Sequence, residues 1–250
     1  MNDLNVIVIE NHRSRERIKD MGEVFTPEQY VQKMMTLFDA KVWSNEDTIF
    51  FEPSSGHGNI ATAILERRIS GLSSKYHRAK FDKPILRAIA NAVNTFWAID
   101  ICAVNVEMTR KRCFDLISNV LQTTEFDLND PQMREFVIHI LCAIVSQIHN
   151  NEALSSLSDE KAAYSMASLT KLGRKWIEVN DHKPLNFDLS WCRIYKESKA
   201  RNAHPLLYQR ALKFVGAAML ESSARGFEEF SFAREAIHNL IQRRNYRGIA

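Results

Sequence analysis

The chain has 250 residues, 45% of them hydrophobic and 25% charged, with a formal net charge of +3 and a pI near 8.6. So many apolar residues exclude a disordered chain and supply one substantial core; the mild basicity permits a nucleic-acid partner without demanding one. The four cysteines, Cys102, Cys113, Cys142 and Cys192, lack the close spacing of zinc or redox motifs. No secretory leader and no membrane-length apolar stretch is visible, so a cytosolic protein with reduced thiols and no membrane partner is expected.

The first twenty residues are polar and charged around His12-Arg13-Ser14-Arg15-Glu16-Arg17 and read as an arm or surface helix. Gly22-Glu23-Val24-Phe25-Thr26-Pro27 follows. Pro27 suits a first helical turn and Thr26 can cap it, with Tyr30, Val31, Met34, Met35, Leu37 and Phe38 at helical spacing. Thr48 to Phe51 reads as a buried strand ending at Glu52-Pro53. The turn Ser54-Ser55-Gly56-His57-Gly58-Asn59 leads into a helix carrying Ile60, Ala63, Ile64 and Leu65 and ending at Arg67-Arg68.

Residues 70 to 83 are basic and read as a surface loop. Their cations and Tyr76 have the composition of a phosphate-contacting, base-stacking segment, against the plainer reading of a solvated loop. Pro84 starts a helix to about Asn94, Phe96 to Ile101 is a second buried strand closing on Asp100, and a long helix spans about Ala103 to Gln122. Pro131 opens another helix, and Ile144 to His149 is expected to hold a third strand at its end. Beyond it the pattern suggests a helix over Asp159 to Leu172, strands over Trp176 to Val179 and Phe187 to Tyr195, and helices near 205–222 and 230–244. Alternating strands and helices predict an α/β fold, a doubly wound, mostly parallel sheet with extra helices. Residues 21–250 form one domain with a helical part from about 204.

In such a sheet ligands sit beyond the carboxyl ends of the strands. Glu52 and Asp100 each fall at such an end, with the glycine turn between strand and helix. Glycines let the backbone approach a ligand, and a helix start favours a ligand carboxylate. An acid closing the second strand suits ribose hydroxyls. A dinucleotide and S-adenosylmethionine both fit this outline. The dinucleotide fingerprint needs a third glycine, where this chain has Ala61. A carboxylate at Glu52 attracts a sulfonium and repels a pyrophosphate.

Gly22 to Pro27, then Glu52-Pro53-Ser54-Ser55-Gly56-His57-Gly58-Asn59, then Ala98-Ile99-Asp100-Ile101 with Asn105, Arg110 and Arg112 resemble, in order, the cofactor motifs of bacterial and phage adenine-specific DNA methyltransferases. Gln147 to Leu154 is more weakly similar to the segment holding the adenine ring. The resemblance spans roughly 20 to 155. It implies that Thr26 and Pro27 frame the methionine end of S-adenosylmethionine. It implies further that Glu52, Pro53, Gly56 and Gly58 hold the amino-acid end, that Asp100 takes the ribose, that Ile101 packs on adenine, and that Glu152 lies by its amino group. DNA is the implied partner, with a further subunit or a homo-oligomer as the alternative assembly.

The family's catalytic Asn/Asp-Pro-Pro-aromatic motif has no counterpart, since the prolines are 27, 53, 84, 131, 184 and 205. Asp188-Leu189-Ser190-Trp191 imitates it most nearly: Asp188 to polarise an adenine amino group, Trp191 to stack on the base. Asn202-Ala203-His204-Pro205 is a weaker imitation. The expected activity is adenine-specific methyl transfer to DNA. The alternatives are a catalytically degenerate cofactor- or DNA-binding subunit and, last, a methyltransferase for another substrate.

Overall fold

The computed structural model describes residues 26–124, 127, 129–157, 171–180 and 184–219. The expected N-terminal arm, Gly22 to Phe25, nearly all of the helix over Asp159 to Leu172 and the helix near 230–244 lie outside the described residues. The described elements are α1 (Glu28–Met35), a 3₁₀ turn (Ala40–Ser44), β1 (Phe50–Glu52), α2 (Asn59–Arg78), α3 (Pro84–Asn94), β2 (Phe96–Asp100), α4 (Ala103–Gln122), α5 (Pro131–Gln147) and β3 (Ile148–Asn150). A short α6 (Ala153–Ser156), α7 (Lys171–Val179), a second 3₁₀ turn (Phe187–Leu189), α8 (Trp191–Ala200) and α9 (Leu206–Met219) follow. Among the described residues no helix is long and apolar enough to cross a membrane.

The three strands form a small open parallel sheet in the order β1-β2-β3. The fold is thus α/β. The order runs outward from β1 in one direction, and among the described residues no strand extends it past β1 as a doubly wound sheet would require. β2 is buried along its whole length, as a central parallel strand must be.

Because side chains alternate along a strand, Phe50 and Glu52 share one face with Phe96, Ala98 and Asp100, while Phe51 and Trp97 share the other. On the first face Trp43 stacks on Phe50 at 5.1 Å. Arg68, fully buried on α2, covers the same ring. The Arg68 guanidinium has neutral partners: it donates to the carbonyls of Val42, Trp43 and Asn45, to Asn91 Oδ1 and to Thr95 Oγ1. Burial lowers its pKa, and these acceptors offset the desolvation of the charge. On the other face Phe187 packs edge-on against Phe51 and Trp97.

Several expected elements are corrected. The segment read as a loop over 70 to 83 is helical as far as Arg78, so the helix expected to stop at Arg67-Arg68 runs on for three turns. Leu72 and Tyr76 bury themselves. Gly71 lets α2 pass the Trp43 backbone, where a Cβ would stand 2.7 Å from the Trp43 carbonyl oxygen. Trp176 to Val179 is helix, and Phe187 to Tyr195 is a 3₁₀ turn followed by helix. The apolar residues there satisfy i, i+4 spacing as well as alternation, and burial of Trp191 decides for helix. The third strand, by contrast, lies where it is expected, at the end of Ile144 to His149: it starts at Ile148, directly after α5 ends at Gln147. Gln147 explains that boundary: its amide donates to the carbonyls of Val93 and Phe96 and accepts the Trp191 N–H.

Candidate functional site

β1 ends where Pro53 cannot continue the ladder. The chain stays attached to β2 for one more step, as Ser55 N–H donates to the Ile99 carbonyl at 2.9 Å. It then turns: Gly58 N–H donates to the Ser55 carbonyl, and Gly56 and Gly58 take φ of +51° and +84°. Both angles favour glycine. At Gly58 space is also restricted, since a Cβ would lie 3.1 Å from Thr109 Cα and Oγ1. At Gly56 a Cβ would meet nothing within 4 Å, so the loop faces open space there.

Asp100 is buried at 5% exposure. Its Oδ2 accepts the Gly56 N–H at 2.8 Å, and its Oδ1 accepts the Cys102 N–H at 2.8 Å and Asn105 Nδ2 at 3.2 Å. One carboxylate therefore binds the glycine turn to the start of α4. Among the described residues Asn105 Oδ1, buried beside it, has no hydrogen-bond partner. The loop is braced from α4 as well: Thr109 Oγ1 donates to the Gly56 carbonyl, and Arg112 donates to the His57 carbonyl and to Asn59 Oδ1.

Glu52 lies on the same sheet face as Asp100. Burial raises its pKa, the Ser54 N–H bonded to its Oε1 opposes that rise, and the Asp100 charge adds to it. Two partly desolvated carboxylates on one side of the loop attract a cation.

Other expected residues converge here. Asn59 Nδ2 donates to the Thr26 carbonyl at 3.1 Å, which brings Thr26-Pro27 to the start of α2. Thr26 does not cap α1; Pro27 holds that position with no side-chain hydrogen bond. Pro53 is exposed and Ile101 half-buried. Asn150 Nδ2 and Asn151 N–H both donate to the Asp100 carbonyl, which binds the end of β3 to that of β2. Glu152, next in the chain, is buried and accepts the Ser155 N–H, capping α6.

No family model, no curated protein and no solved structure matches the chain.

Asp188 and Trp191 lie in opposite environments. The Asp188 side chain is 83% exposed, with Arg193 as its ion-pair partner at 3.8 Å. Trp191 is 2% exposed. Its indole N–H donates to His139 Nδ1 at 3.1 Å, and its ring lies among His139, Tyr195 and Tyr208. A ring covered in this way is not available to stack on a base. Asn202 to His204 are exposed at the turn before α9.

The bracing residue Thr109 carries no signal in the sequence, because its role depends on contact across 53 residues. Beside the brace lies a polar groove of about 330 Å³ between α1, α2 and α4. Glu28, Glu66 and Asp115 line it, and its acidity disfavours a phosphate-bearing ligand.

Proposed function

We propose that the chain binds S-adenosylmethionine over the glycine turn and serves adenine methylation of DNA. The observation that carries the reading is the shared position of Glu52 and Asp100. They end adjacent parallel strands on one sheet face, with a left-handed glycine turn opening beside them. The motif resemblance to adenine-specific DNA methyltransferases supports it.

The residues fit such a ligand at its cationic end. Glu52 ionises at a cost that a neighbouring cation removes, so the sulfonium or the ammonium of the ligand relieves the unfavourable Glu52–Asp100 pair. The start of α2 favours the ligand carboxylate. Asp100 would take a ribose hydroxyl by releasing Asn105 Nδ2, bonded to it at 3.2 Å. Thr26-Pro27 closes the methionine side through Asn59. The cofactor supplies an activated methyl group; the chain's part is to orient it and neutralise its charge.

Burial of Trp191 and exposure of Asp188 favour a second reading at the catalytic step. In it the chain holds the cofactor while another subunit supplies the groups that embrace the adenine. Incubation of the purified chain with methyl-labelled cofactor and DNA tests the choice. Label in adenine supports an autonomous enzyme. Tight cofactor binding with no label transferred supports the subunit.

A further inference from the structure

Far from the glycine turn, α2 ends in a corner whose backbone is strained. Lys80 N–H donates to the His77 carbonyl and Phe81 N–H to the Tyr76 carbonyl, which together close the helix. This closure puts Lys80 at φ +56°, where glycine is the usual occupant. Three residues on, Lys83 sits at φ +50° directly before Pro84. Left-handed backbone is costly for a residue with a side chain. The space before a proline also restricts its conformation. Glycine at either position would relieve the strain, yet both hold lysine.

The charge has little local employment. From Arg78 to Arg87 four cations, Arg78, Lys80, Lys83 and Arg87, face one carboxylate, Asp82. All are exposed. Among the described residues Arg78 and Lys80 have no ion pair, and Lys83 meets only the amide oxygen of Gln132 at 3.2 Å. Lys75, one turn earlier, is already bound to Glu46 at 2.7 Å. Arg87 donates its Nε–H to the Asp82 carbonyl at 2.8 Å and lies over the ring of Phe81 at 5.2 Å, a ring that is 47% exposed.

We propose that this corner is a contact surface for the phosphate backbone of a nucleic acid, separate from the cofactor site. A span from Lys80 to Lys83 reaches at most about 10 Å, which matches two or three charges of a strand that carries one every ~3.4 Å. Rigid presentation by a closed helix end and Pro84 limits the entropy lost on contact. The Arg87–Phe81 pair adds a planar cation and ring of the kind that nucleic acids meet. A helix of 20 residues separates the corner from the glycine turn, or ~30 Å at 1.5 Å per residue. Contact here therefore positions a long polyanion and does not read the base at the cofactor.

The proposal does not depend on cofactor binding, and one set of samples separates the two. Binding of a fluorescent random-sequence DNA duplex to the full chain is followed against salt for the wild type, the double variant Lys80→Gly/Lys83→Gly and Arg78→Glu. The glycine pair is expected to raise the thermal midpoint while lowering the slope of log K against log salt by about 1.8, at ~0.9 per phosphate contact. Arg78→Glu, outside the strained turn, is expected to weaken binding with the midpoint unchanged. S-adenosylmethionine affinity stays at its wild-type value in all three. Wild-type affinity and slope in both variants overturn the proposal. So does binding of polyglutamate or anionic vesicles, but not DNA, at the corner.

Discussion

Asp100 holds Gly56 by its backbone, with the Gly56 N–H donating to carboxylate Oδ2 at 2.8 Å. The same carboxylate starts α4 through the Cys102 N–H. One buried acid thus fixes the turn and the helix that braces it, so loop geometry and α4 position are coupled.

Asp100→Asn replaces one acceptor oxygen by a donor and leaves a part-buried backbone N–H without its partner. The expected loss is about 1–3 kcal/mol of stability, measured by urea unfolding. Circular dichroism of the folded baseline should be unchanged.

The two glycines should respond differently to alanine. Gly56→Ala incurs only the left-handed backbone, about 1–2 kcal/mol, because its Cβ meets open space. Gly58→Ala adds a collision with the Thr109 backbone and should cost more. The deficit at position 58 should shrink in a Thr109→Gly background, which removes Oγ1 and Cβ from the collision. Equal losses at the two positions would contradict the geometry.

Glu52 makes the protein pH-sensitive in a defined direction. Its folded pKa lies above 4.5 because of burial and then the Asp100 charge, against the Ser54 bond. The folded state therefore holds the proton more tightly than the unfolded one. Its stabilising contribution is complete below 4.5 and is lost as pH rises through the raised value. Glu52→Gln should remove this dependence and raise stability at neutral pH. It should also weaken cofactor binding by at least about tenfold, or 1.4 kcal/mol. Wild-type affinity should rise with pH over the same window, because the cation binds the ionised form.

Much of this arrangement is legible in the sequence, and the exceptions have physical causes. Pro84 and Pro131 mark helix starts that the structure keeps, and the strand ends at Glu52 and Asp100 follow from a short apolar run stopped by an acid. The stretch Ser70-Gly71-Leu72-Ser73-Ser74 looks like a loop because its local propensity is poor. It is helical because Arg68, Leu72 and Tyr76 are buried on contacts that only the folded chain supplies. Trp191 fails as a base-stacking residue for a similar reason. Its neighbours His139 and Tyr208 lie 52 and 17 positions away, on other helices. The glycine turn is readable, and Arg112 stands in a motif the sequence shows; the brace at Thr109 acts at long range and leaves no local pattern.

The Trp191 environment supplies another pH test. His139 Nδ1 must be unprotonated to accept the indole N–H. Burial lowers the His139 pKa from 6.5, against the pull of Glu135. This contribution to stability is complete above 6.5 and is lost as pH falls toward the depressed value. Trp191→Phe should cost about 1 kcal/mol at neutral pH and shrink the acid-side loss, as read by thermal melts. Trp191→Ala should cost about 3–5 kcal/mol, while Asp188→Ala should stay within about 0.5 kcal/mol.

Titration calorimetry of the purified chain with S-adenosylmethionine addresses the crevice itself. Saturable binding with a Kd well below 1 mM, about −4 kcal/mol, is the predicted result, weakened by Glu52→Gln and by Gly58→Ala. A folded wild-type chain that gives no binding heat and no thermal shift at millimolar ligand would contradict the assignment.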